Sequence, residues 1–227
     1  MDREKIIVLK KTVYRDADLI IRGLNAQGTR LSFIAPAALK SRKRFGGGVL
    51  EPTNYIEVVY RPLPTSSPVS HSSVSASATT HSSPLPRLLE AQILKEFPGL
   101  RRSYDLIQAG LQLVELVDRV SHDGLPHGTD LFNLLGHGLQ CLDQINENTL
   151  VLFRLQFLLK FLFQQGVLDQ QDWMKSFLQT PLKDHGALAH AIQTEAQVST
   201  ELPHFLLDQL AFVETQIKTY RETGSLT

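Results

Sequence analysis

Cysteine is almost missing from this chain: Cys141 is the single example in 227 residues. A lone thiol can neither close an intramolecular disulfide nor furnish a multi-thiolate zinc set, which points to a reducing compartment and makes the cytoplasm the expected location. Long apolar runs are missing too. The most apolar one, "LVLFRLQFLLKFLF" from Leu150 to Phe163, spans 14 residues and includes Arg154 and Lys160, too short and too charged to cross a bilayer. The opening "MDREKIIVLKK" is charged from its second residue and has neither the apolar centre nor the small-residue cleavage site of a signal peptide. No serine sits in a nucleophile elbow and no Gly-rich Lys-Ser/Thr phosphate loop occurs, so catalysis has no motif to rest on and the chain reads as a non-enzyme. Eight histidines are present, but His122, His127 and His137 lack the i, i+4 spacing that sets two imidazoles on one helix face. They read as solvated or capping, and neither metal nor cofactor is expected. Cys141, on an apolar-leaning helical position, reads as a buried structural thiol.

What remains is a chain of 42% hydrophobic residues, enough for one large domain or two small ones with a real core. Its 23 Lys and Arg equal its 23 Asp and Glu. That balance conceals two opposite halves. Residues 1–62 hold twelve cations against six anions, and residues 63–227 hold eleven against seventeen. Such asymmetry suggests that the basic half meets a polyanion. The charge peaks in "LKSRKRFGGGVLEP", where Lys40, Arg42, Lys43 and Arg44 stand directly before Gly46, Gly47 and Gly48. Cations followed by glycines suit a loop that tracks a phosphate chain, because glycine permits close approach and unusual dihedrals. An ordinary solvated charge run is the alternative.

The first ninety-odd residues carry the two-residue period of strands. "KIIVLKKTVY" is rich in β-branched residues. "ADLIIRGL" passes through "NAQG" into "TRLSFIA", a hairpin turning at Asn25 to Gly28. "NYIEVVY" sets Ile56, Val58 and Tyr60 on one face, and "RLLEAQILKEF", residues 87–97, sets Leu89, Ala91 and Ile93 opposite Glu90, Gln92 and Leu94. Five short strands result. Between the last two lies a stretch with nine serines from Ser66 to Ser83, whose composition offers a core nothing and reads as a loop within the barrel or an interdomain linker. The loop is preferred, since the β-like segment beyond it has no other sheet to join.

From Pro98 the period becomes helical. Leu100, Tyr104, Ile107, Leu111, Val114 and Val117 recur at steps of three and four on a helix ending near Ser121. A second helix is expected from Asp130 to about Ile145 behind a Thr129 cap, and a third from about Asn148 to Gln165, stopped by Gly166. The third is apolar nearly all round and should be central, so its cations need partners. A last helix begins at Pro203 with Leu206, Leu210, Val213, Ile217 and Tyr220 in register. Residues 167–200 should form short helices and connections around Trp173. The fold class is therefore α+β: residues 1–97 a five-stranded oligonucleotide-binding (OB) barrel, residues 98–227 an all-helical domain. Lys10, Lys11 and Arg15 near the end of the first strand, Arg22 and Arg30 on the next hairpin, and Lys40, Arg42, Lys43 and Arg44 could line one groove of such a barrel, whose face and loops hold single strands. Among Tyr14, Phe33, Phe45 and Tyr55, Phe45 beside the basic run is the preferred ring for base stacking and Phe33 the expected core residue.

The segments "YRDADLIIRGLNAQGTRLSFIAPA", "GGGVLEPTNYIEVVY" and "LVELVDRV", in that order and spacing, resemble the bacterial RecO family of recombination mediators. The similarity is good over residues 5–61, fair to about residue 165 and weak beyond. It implies an N-terminal OB barrel with a helical C-terminal domain, nucleoid association, and binding of single- and double-stranded DNA. It further implies annealing of complementary strands, and joint action with RecR and single-strand-binding protein to load RecA. Two departures stand out. Many relatives carry a four-cysteine zinc module after the central helix, whereas residues 167–200 hold no cysteine. Where relatives often have Lys-Gly-Ala-Arg, this chain has Pro36, Ala37, Ala38 and Leu39, which moves the charge onto Lys40 to Arg44. The expected function is DNA-binding mediation of recombinational repair. The alternative is a protein-interaction scaffold whose basic loop docks an acidic partner peptide.

Overall fold

β1 (Asp2–Tyr14), β2 (Asp18–Asn25), β3 (Arg30–Ala35), β4 (Tyr55–Arg61) and β5 (Arg87–Lys95) close into a barrel with the strand order β1-β2-β3-β5-β4. This is a computed structural model, describing residues 1–63, 85–124, 128–184, 187–188 and 202–223. The Ser-rich stretch thus lies outside the described residues, as does most of the segment from 185 to 201. Every strand pair is antiparallel except the closing one, where β3 meets β5 in parallel at Ile34 and Arg87.

Four successive residues of β1, Ile6 to Leu9, are buried, which strict alternation between core and solvent does not allow. The reason is that β1 has a core on each face. Ile6 and Val8 enter the barrel with Leu19, Ile21, Phe33, Ile56 and Val58, while Ile7 and Leu9 join Leu24 in the core of the helices. β1 pairs with β4 over Asp2–Ile7 and with β2 over Ile6–Tyr14, and a shift in the β2 pairing between Val8 and Lys10 bends the strand. The β2–β3 turn falls at Asn25–Gly28, where the Asn25 carboxamide accepts the Gln27 and Thr29 N–H groups at 3.1 and 2.9 Å. In β5 the alternation slips: a shift between Val59 and Tyr60 buries Leu88 fully and leaves Leu89, Ala91 and Ile93 half-buried.

Among the described residues, helices beyond α1 (Arg42–Phe45) include α2 (Tyr104–Val120), α3 (Thr129–Gln144), α4 (Leu150–Gln164), α5 (Lys175–Gln179) and α6 (Leu202–Thr223). The apolar stripe expected on α2 is corrected. A separate 3₁₀ turn spans Pro98–Arg102, and the Ser103 hydroxyl then caps a fresh helix by accepting the Leu106 N–H at 3.3 Å. Leu100 therefore belongs to another element, and the buried face is Leu106, Ala109, Leu113, Val114, Leu116, Val117 and Val120. Tyr104 and Leu111 are exposed. α3 starts one residue earlier than expected, with Gly128 at its cap position.

α4 is central: Leu152, Phe153, Leu155, Phe157, Leu159, Phe161 and Leu162 are all buried. Its cations find partners at its edges. Arg154 pairs with Glu214 of α6 at 2.5 Å, and Lys160 donates to the Leu178 carbonyl at 2.5 Å while burial lowers its pKa. Gln156, fully buried, donates to the Thr180 carbonyl at 2.8 Å and so ties the segment after α5 to α4. Barrel and helices meet through Ile7, Leu9 and Leu24 and through Tyr55 against Phe132, edge to face at 6.0 Å.

Candidate nucleic-acid interface

The ten residues singled out in the sequence separate into three environments. Arg22 and Arg30 leave β2 and β3 on the side facing α2. Arg22 pairs with the Asp118 carboxylate at 2.9 Å; Arg30 pairs with Asp123 at 2.8 Å and donates to the Asp118 backbone carbonyl at 2.8 Å. Lys11 pairs with Glu51, and Lys10 stands exposed beside them. These four cations and Arg119 line a groove of about 420 Å³ between barrel and α2, together with Glu115 and Asp118. The groove is rich in charge but largely neutralised. Burial raises the pKa of Asp118 against the pull of Arg22, Arg30 and Lys10, so desolvation outweighs pairing there. One of its oxygens, Oδ1, is buried without a hydrogen bond. Arg22 and Arg30 therefore act first as a clasp between barrel and helices.

The second environment is the barrel interior, and it corrects the stacking assignment. Phe45 is 7% exposed and packs in the barrel core with Val49 and Leu50. Arg44 is held inward, donating to the Pro36 carbonyl at 3.0 Å and the Ser41 hydroxyl at 3.1 Å, with its guanidinium 5.1 Å from the Phe45 ring centre. Phe33 is buried as expected, and Tyr55 is half-buried against Phe132. The run is thus one helical turn that plugs the barrel rather than a free loop. The glycines serve that plug. A Cβ on Gly46 would lie 2.2 Å from the Arg42 carbonyl, and Gly47 and Gly48 have φ of 66° and 72°, turning the chain so that Val49 and Leu50 go inside. The buried Asn54 carboxamide donates to the Gly48 carbonyl at 3.0 Å and fixes the turn.

The third environment is the rim. Lys40, Arg42 and Lys43 are exposed on the outside of the plug, and Arg15 is exposed at the β1–β2 tip. Backbone bonds join the two loops: Leu39 N–H donates to the Ala17 carbonyl at 3.1 Å, and Ala37 N–H donates to the Asp18 carboxylate at 2.8 Å. Asp18 is thereby occupied by the backbone. None of the four cations is in an ion pair among the described residues. Two residues outside the sequence-based set extend the rim. α1 packs against β5, whose Arg87 lies directly across from Arg61 of β4, both exposed. Like charges facing across a strand pair repel, which fits a surface that meets an anion. The signal was in the sequence, since "YRP" and "PRLLE" put a cation at each edge of the Ser-rich stretch.

No three His, Cys, Asp or Glu side chains converge on a metal-sized site among the described residues. Cys141 is buried, and burial pushes its thiol up to about 11. No described helix is long and apolar enough to cross a membrane.

Comparison with known proteins agrees with the barrel. Residues 1–95 match the model of the recombination protein O N-terminal domain. A DNA repair protein RecO of Syntrophus aciditrophicus is 31% identical over 153 residues, covering 66% of this chain and 52% of that protein. A DNA repair protein RecO of Geobacter metallireducens is 33% identical over 144 residues, covering 63% and 50%. The chain spans about half the length of these curated relatives.

Proposed function

We propose, from the similarity of its N-terminal barrel to the RecO family, that this chain is a DNA-binding mediator of recombinational repair. The rim takes the phosphate backbone. In this reading Arg15, Lys40, Arg42 and Lys43 contact DNA, Arg61 and Arg87 extend the path, and Lys10 and Lys11 lie along the groove beside it. The observation that carries the reading is the contrast between clasp and rim: Lys11, Arg22 and Arg30 at the barrel–helix contact have carboxylate partners, whereas the four cations at the rim have none among the described residues.

The role follows from charge, not bond-making. Two complementary strands repel each other through their phosphates. A surface that neutralises one strand and releases its counterions lowers the cost of bringing the second alongside, so binding and annealing share one cause. Double-stranded DNA meets the same rim through its backbone. The helical part, tied to the barrel by the clasp, is the surface on which RecR and single-strand-binding protein act, and RecA loading follows indirectly.

Annealing of complementary strands tests this. The variant Lys40→Glu/Arg42→Glu/Lys43→Glu should bind single-stranded DNA more weakly and anneal more slowly, with its melting temperature little changed because exposed charges contribute little to folding. Reversals at Asp169 and Asp172, exposed on the acidic half, are the control and should leave annealing intact. Unchanged annealing by the triple variant contradicts the proposal. Loss of an acidic peptide's binding in place of DNA binding would favour a scaffold instead.

A further inference from the structure

Resting on the proposed binding of nucleic acid at the rim, we infer that its tip is a stacking platform selective for unpaired bases, formed by Tyr14 and Leu39. Tyr14 is 39% exposed and Leu39 53% exposed. Tyr14 ends β1 and pairs across the hairpin with Asp18, and Leu39, in the segment after β3, is joined to the β1–β2 turn by the Leu39–Ala17 backbone bond. They therefore share one edge of the barrel with Arg15, Lys40, Arg42 and Lys43. The Arg15 guanidinium lies over the Tyr14 ring, 5.1 Å from its centre, a contact that holds the ring and covers one of its faces, so that a base stacks on the other.

Neither side chain belongs to either core. A tyrosine and a leucine left in water among cations suit a ligand that is anionic at its edge and apolar at its face. Nucleic acid has that character, but a duplex hides its base faces by stacking them on one another. Only unpaired bases present a face to Tyr14. A single strand accordingly gains both the phosphate contacts and the stacking, while a duplex gains the phosphate contacts alone. The preference for single strands comes from the tip, and the salt dependence comes from the cations.

The two contributions separate in titrations of the full chain against a labelled single-stranded oligonucleotide and against a closed circular duplex, which has no ends to stack on. Tyr14→Ala should weaken single-strand binding roughly fivefold to a hundredfold, leave duplex binding unchanged, and leave the salt slope unchanged. Leu39→Ser should act in the same direction, and Tyr14→Phe, which keeps the ring face, should retain most of the affinity. Lys40→Glu/Arg42→Glu/Lys43→Glu should weaken both substrates and flatten the salt slope. If the charge variant acts as expected but Tyr14→Ala is silent, or weakens both substrates equally, the platform is refuted and the DNA-binding rim stands. If the charge variant is silent as well, both fall.

Discussion

Asp118→Ala removes the carboxylate that holds Arg22 at 2.9 Å and faces Arg30 at 3.9 Å, at a side chain only 9% exposed. A buried pair broken at one partner costs about 3–5 kcal/mol when the remaining charge is sealed from water. Here it is not sealed. Arg22 and Arg30 keep 28% and 18% of their side-chain surface, and Arg30 keeps both Asp123 and the Asp118 backbone carbonyl. The expected loss is therefore about 2 kcal/mol, the value of a charge-assisted hydrogen bond or two. At this chain length that lowers the melting temperature by roughly 4–8 °C.

Asp118→Asn should behave differently. The raised pKa of Asp118 means that burial penalises its charged form more than the arginines reward it. A carboxyl whose folded pKa lies above its unfolded value contributes stability at low pH that is lost as pH rises through that interval, so the ionised form is a cost at neutral pH. Asparagine keeps an acceptor for Arg22 without the charge, and should lose less than half of what alanine loses. Thermal melting of the three proteins at neutral pH decides the matter. An asparagine variant as unstable as the alanine variant would show that the charge itself holds the clasp, against the desolvation argument.

Phe45→Ala should cost about 3–5 kcal/mol as a core truncation and abolish cooperative melting of the barrel; a stable variant with weakened DNA binding would restore Phe45 as a stacking ring. Cys141, with its thiol held near 11, should resist alkylation at neutral pH until the chain is unfolded, and rapid labelling of the folded protein would contradict its burial. Replacing residues 65–83 by a short Gly-Ser turn should change stability by less than about 1 kcal/mol, because loop-closure entropy varies slowly with length; a loss of cooperativity would show that the stretch packs.

Strand and helix existence was legible because period alone separates them, and the Asn25–Gly28 turn because Asn and Gly state their conformations locally. The β1 strand was legible as a strand but not as one with two cores, since "IIVL" fits any buried run. The phase of α2 was misread for a local reason, a Ser103 cap that starts the helix after Leu100. At the interface, the cations were visible in the sequence while their partners were not. Arg22 and Arg30 meet Asp118 and Asp123 some ninety positions away, a pairing that only the fold creates. Phe45 next to three exposed cations looked like a surface ring, and it is buried because the glycines behind it turn the chain into the barrel.

The central claim is that the unpaired rim cations, not the clasped ones, neutralise DNA phosphates. Its most direct test is the slope of log affinity against log salt for single-stranded DNA, measured for the unaltered chain and for Arg15→Gln, Lys40→Gln, Arg42→Gln and Lys43→Gln singly and together. Each rim substitution should flatten the slope by roughly 0.7 and the four together by about 3. Slopes that stay unchanged in the rim variants, or that flatten only when Arg22 and Arg30 are replaced, would place the phosphates elsewhere and contradict the account.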